Sequence, residues 1–139
     1  IKYPSLFEKL LLQGRYEYFM QYHAVRPLYG ALLDAGVEIY EYQGGFLHAK
    51  VAVVDGNWAT VGSSNLDPLS LLLAREANVV IENASFAHDL HAQLLATIQK
   101  HGLRIQPKLY AGRALGQRVL DQFAYAVVRM LLFVTGRRY

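Results

Sequence analysis

Cysteine is absent from the 139 residues, which removes disulfides and thiolate metal sites. Charged residues are scarce at 18%, and hydrophobic residues reach 53%. That balance excludes a disordered chain and points to one domain with a modest core. No uninterrupted apolar run approaches the roughly 20 residues that span a bilayer. Nothing near the start combines a charged segment with an apolar core as a secretory signal does. An excess of one charge sign is also small, at +3. It favours anionic lipid headgroups or phosphate esters, and it is too weak to argue for nucleic acid as a partner. Internal repeats and low-complexity segments are missing. The chain opens on Ile1 rather than methionine, which reads as a piece of a longer polypeptide.

What is present alternates between strand and helix patterns. Leu10 to Gln13 is a short apolar run and reads as a strand. Tyr18 to Ala35 has helical spacing, with Pro27 expected to kink or divide it and Gly36 to stop it. Val37 to Tyr42 alternates at period two. Lys50 to Val54 and Trp58 to Gly62 read as a hairpin about Asp55-Gly56-Asn57. Ala77 to Ile81 is a further strand. Ser85 to Lys100 is a helix, with Ser85 as its cap and Gly102 as its stop. The expected fold class is α/β, a mixed β-sheet flanked by helices. Residues 106–139 differ from the rest. Val119 to Val134 reads as an amphipathic helix interrupted by Asp121 and Arg129, with Arg113 and Arg118 before it and Arg137 and Arg138 after, a pattern that suits an anionic lipid surface. The expected division is a catalytic unit over residues 1–105 and a membrane-associating tail over 106–139. A helix packed on a missing part of the protein is the alternative for the tail.

The hairpin sets the geometry of a site. If Gly56-Asn57 is a two-residue loop, His48 opposes Asn65 and Lys50 opposes Ser63. Residues two apart, and residues directly opposed, share a face. His48, Lys50, Ser63 and Asn65 then converge at the open end of the hairpin. A one-residue slip would split them between faces. An imidazole serves as nucleophile or acid–base. A lysine supplies positive charge, and an amide and a hydroxyl donate hydrogen bonds. This set fits a phosphodiester, whose oxygens gain charge during displacement. Lysines take the place of a metal, so no metal and no cofactor is expected. A carboxylate should orient the imidazole, and Glu76, near the start of the following strand, is the candidate.

The order His48-Ala49-Lys50, four residues, Asp55, six residues, Gly62-Ser63-Ser64-Asn65 resembles the HxK(x)4D(x)6GSxN motif of the phospholipase D superfamily. The stretches LLLQG, GVEIYEYQ and LHAKVAVVDGNWATVGSSNLDPLSLLLAREANVVI are similar to the C-terminal half of bacterial cardiolipin synthases, most like the B-type. The resemblance implies phosphatidyl transfer between glycerophospholipids, through a phosphohistidine, at the cytoplasmic face of the bacterial inner membrane as a peripheral protein. It implies His48 as acid and base, Lys50 and Asn65 as phosphate ligands, Ser63 as support, and Asp55 as a turn residue. Glu76 falls where the family has its histidine-orienting glutamate. Superfamily enzymes pair two such motifs and this chain holds one, so a missing N-terminal half or a second copy is the expected partner. The isolated piece is expected to be inactive. A phospholipase or phosphodiester nuclease using water as acceptor employs the same residues and is the alternative. Ser64 and Asp67 can also be read as caps of the segment after the motif. His23, His88, His91 and His101 are read as ordinary helix residues. Tyr40 and Tyr42 are read as packing.

Overall fold

The computed structural model describes residues 8–14, 19–64 and 76–136. Their contacts separate into two compact units, residues 1–46 with 102–139, and residues 47–101. The expected α/β class holds, with the strands in two three-stranded sheets, one in each unit.

In the first unit, β1 (Lys9–Gln13) and β2 (Glu38–Tyr42) run parallel, with Leu10 opposite Ile39. Parallel neighbours need a crossover, and α1 (Phe19–Asp34) provides it. Pro27 lies inside α1 without dividing it. Gly36, at φ +90°, ends the turn after α1, and the Val37 N–H reaches back to the Leu32 carbonyl at 3.0 Å. That is the left-handed helix stop that glycine permits. A short strand, β6 (Gly102–Arg104), pairs antiparallel with β2 where the sequence suggested only a helix stop.

Alternation along β2 sends Ile39 and Glu41 inward, and both are buried. Ile39 joins Tyr29 and Val37 as the core, against Leu10, Leu12, Leu32, Leu33, Ile105 and Tyr110. Glu41 is accommodated there because Arg26, also buried, approaches to 2.6 Å. The Arg26 guanidinium also donates to the Tyr22 hydroxyl and stacks over the Tyr22 and Tyr29 rings. The Arg26 carbonyl accepts a hydrogen bond from the Tyr110 hydroxyl.

The stretch set apart as a tail begins with a one-turn helix, α3 (Pro107–Ala111), and continues as α4 (Leu115–Gly136). One face of α4 packs on α1. Ala124 is buried there, and Asp121 is held at 2.6 Å by both His23 and Arg113. The compact unit therefore takes in 102–139 together with 1–46, a division different from a boundary at residue 105.

The second unit is an antiparallel meander of β3 (Lys50–Val54), β4 (Trp58–Gly62) and β5 (Asn78–Glu82), with α2 (Ala84–His101) against its strands. Two fully buried alanines, Ala59 on β4 and Ala87 on α2, lie within this helix-and-sheet layer. Asn83, not Ser85, caps α2, because its Oδ1 accepts the Phe86 N–H at 2.9 Å. Asparagine is among the strongest caps, and its position one residue before the helix places the acceptor at the third amide.

Candidate active site

The turn between β3 and β4 decides what faces what. Asp55 and Gly56 both have positive φ, 51° and 64°, and the Asn57 N–H bonds the Val54 carbonyl at 3.3 Å. Asp-Gly is the favoured pair for such a mirror-image turn. Asn57 is then a third loop residue, and its carbonyl accepts the Asn83 N–H at 3.0 Å. The ladder follows with Val54 opposite Trp58 and ends with Lys50 opposite Gly62.

This corrects the expected register. Lys50 faces Gly62, not Ser63, because the loop holds three residues, 55–57, rather than the two of a Gly56-Asn57 loop. Asn65 lies outside the described residues, as does Asp67, so the His48–Asn65 pairing is not described. Ser63 sits on the face opposite Lys50 by strand alternation. There its N–H donates to the Ala77 carbonyl at 3.0 Å, and its Oγ accepts the Ala77 N–H at 3.1 Å. Ser63 thus ties the end of β4 to the chain entering β5.

His48 and Lys50 are brought together. The Lys50 Nζ lies 2.7 Å from the His48 Nε2. An ammonium only donates, so Nε2 is the acceptor in this contact. His48 is exposed and Lys50 half-buried. Both are open to an anion from solvent. Asp55 lies at the other end of β3, exposed in the turn. A turn role follows from its backbone conformation, which aspartate tolerates better than most residues. Glu76 is half-buried and stands two residues before Asn78.

Two residues that the motif reading left without a site role complete the Lys50 row. Gly62 faces Asn78 on β5, so Lys50, Gly62 and Asn78 lie across three strands on one face. The Asn78 side chain takes the Ser64 N–H on Oδ1 at 3.3 Å and donates from Nδ2 to the Ser64 Oγ at 2.7 Å. The sequence signal for Asn78 was available only through the register, since it falls outside the motif.

Lys50 thus meets His48 ahead of β3, and the Gly62-Ser63-Ser64 stretch at the end of the next strand is bonded to the third. The family model described as "Cardiolipin synthase, PLD-like domain" matches residues 9–98, and the chain belongs to that family. Among curated relatives, cardiolipin synthase B of Salmonella typhi is 47% identical over 90 residues, 65% of this chain and 22% of that protein. Cardiolipin synthase B of Escherichia coli (strain K12) is 48% identical over 86 residues, 62% of this chain and 21% of that protein. Cardiolipin synthase A of Erwinia tasmaniensis is 39% identical over 102 residues, 73% of this chain and 21% of that protein. The chain therefore spans about a fifth of the length of these relatives. No solved structure matches.

Proposed function

We propose that this chain supplies one half of a phosphatidyl-transferring active site that makes cardiolipin from glycerophospholipids. The observation that carries the reading is the 2.7 Å contact of Lys50 with His48, in a chain of the cardiolipin synthase family. Lys50 neutralises the phosphodiester oxygens as their charge grows. Asn65 follows the Ser64 clamp directly in sequence and adds an amide donor. A histidine from the second motif attacks phosphorus to form the phosphohistidine. His48 protonates the departing alcohol, then removes the proton from the acceptor hydroxyl that displaces the phosphatidyl group. Glu76 accepts the Nδ1 proton of His48 and keeps Nε2 toward the leaving oxygen. Ser63 and Asp55 hold the hairpin ends. The second motif comes from another part of a longer polypeptide or from a second copy.

The reaction takes place at an anionic membrane surface, for which α4 offers a face. Val119, Phe123, Met130 and Phe133 are each at least 60% exposed. With Ala126 between them they follow alternating spacings of four and three residues, a single helix stripe. Arg118 and Arg129 are also exposed, while the acid of this helix, Asp121, is held by His23 of α1 and by Arg113. Apolar stripe and uncompensated arginines match an interfacial helix on anionic lipid. Among the described residues no helix is long and apolar enough to cross a membrane.

The test is conversion of radiolabelled phosphatidylglycerol to cardiolipin by the full-length protein. His48→Ala should abolish it, and full retention overturns the reading. Release of phosphatidic acid without cardiolipin would identify water as the acceptor.

A further inference from the structure

Asn78 lies outside every position of the catalytic motif, yet its side chain is committed to the motif. Both of its polar atoms are used on one neighbour, Ser64, at the backbone N–H and at the hydroxyl. The space it crosses is the space Gly62 leaves. A Cβ built on Gly62 would stand 1.8 Å from the Asn78 Oδ1, 2.5 Å from the Ala77 carbonyl and 2.6 Å from the Asn78 Cα. The motif glycine is thereby explained by what lies over it.

Asn78 is exposed, so its removal leaves no internal cavity. An exposed asparagine at the start of a strand could serve only to begin the strand. That role would use its backbone or a nearby turn. Here the carboxamide instead reaches across strands to a residue 14 positions away. The same stretch is pinned on its other face by Ser63 and Ala77. Two independent sets of bonds, one on each face, therefore fix the two residues that precede Asn65 in sequence.

We infer that Asn78 is a positioning residue for the phosphoryl site, an inference that rests on the reading of His48 and Lys50 given above. It acts through Ser64. The clasp fixes Ser64, the residue before Asn65 in sequence, on the row that begins at Lys50. A displacement of about 1 Å in such a group can cost about 100-fold in rate.

The experiment measures turnover of bis-p-nitrophenyl phosphate, a soluble phosphodiester, by the full-length protein, with thermal unfolding alongside. Asn78→Ala is expected to lower kcat about 10- to 100-fold while KM and the unfolding midpoint stay near wild type, the signature of an interaction that matters in the transition state. Ser64→Ala removes one of the two bonds and should cost less. Added to Asn78→Ala it should cost nothing further, because the hydroxyl acts through the carboxamide. Normal kcat for Asn78→Ala, or additive losses in the double variant, overturns the role of Asn78. His48→Ala separates the two ideas. If it retains turnover, or if the wild-type protein shows none, the reading of the site falls and the inference with it. If it abolishes turnover while Asn78→Ala is unimpaired, the inference alone falls.

Discussion

Asn78 occupies the volume that any side chain at residue 62 would need, with its Oδ1 1.8 Å from the Cβ position of Gly62. Two of the three closest atoms belong to the backbone of Ala77 and Asn78, so a rotamer change cannot relieve the clash. Gly62→Ala must part β4 from β5. The expected loss is about 1–3 kcal/mol, the usual cost of overpacking, measured by urea unfolding. Turnover should fall further than for Asn78→Ala.

Both the charge of Lys50 and the compactness of its ammonium should matter. Lys50→Met keeps the apolar stem and removes the donor to His48. Loss of one preorganised donor typically costs about 100- to 1,000-fold in kcat, and that range is expected for cardiolipin formation. Lys50→Arg should restore little, since a planar fork does not reproduce a point charge 2.7 Å from an imidazole nitrogen.

The Arg26–Glu41 pair joins α1 to β2 inside the first unit. Burial pushes the Glu41 carboxyl above its ordinary range, and the Arg26 charge pulls it back. Removing one partner strands the other charge. Glu41→Leu alone should destabilise by about 3–5 kcal/mol. Arg26→Met combined with Glu41→Leu should recover most of that loss, because two apolar groups can replace a buried pair. Denaturant midpoints of the single and double variants provide the check.

Tyr29 should make the protein sensitive to alkali. Burial raises its phenol well above the ordinary value, with Arg26 opposing. The folded state therefore keeps a proton that the unfolded chain releases near pH 10. Its contribution is complete below that pH and is lost as pH rises toward the folded value. Tyr29 alone can contribute a decline of up to about 1.4 kcal/mol per pH unit. Tyr29→Phe should flatten the decline between about pH 10 and 11. Stability measured by urea unfolding across that range decides it.

On vesicles, Phe123→Asp with Phe133→Asp should abolish flotation with phosphatidylglycerol-containing membranes. Arg118→Ala with Arg129→Ala should weaken it by about 2 kcal/mol at low salt, about 1 per arginine. It should leave binding to neutral phosphatidylcholine unchanged. Flotation of the double aspartate variant, or a dimer in solution lost with the same variant, would reassign the α4 stripe.

The strands and helices were legible because their residues repeat at two or at three to four positions, as in β2 and α1. The motif residues were legible by their spacing. The register was not. It depended on whether two or three of Asp55, Gly56 and Asn57 form the loop, a difference of one position that composition alone leaves open. Asn78 stayed hidden for the same reason, since its place beside Gly62 exists only once β4 and β5 are aligned. The strand Gly102–Arg104 is too short to show alternation, and its partner Tyr40 is distant in sequence. Arg26 looked like one charge on a helix until Glu41 came to meet it.

The odd number of loop residues between Val54 and Trp58 has a consequence for how this motif can vary. Side chains change sides with every residue. With three residues kept in the loop, deletion of one would send Gly62 and Ser64 to the far side of the hairpin and bring Ser63 beside Lys50, and insertion of one would bring Val61 there. Two inserted residues would leave every side unchanged. The fixed interval from Asp55 to Gly62 therefore acts as a rule of parity rather than of distance. Chains of this kind should tolerate an insertion of two residues at Asn57 better than an insertion of one.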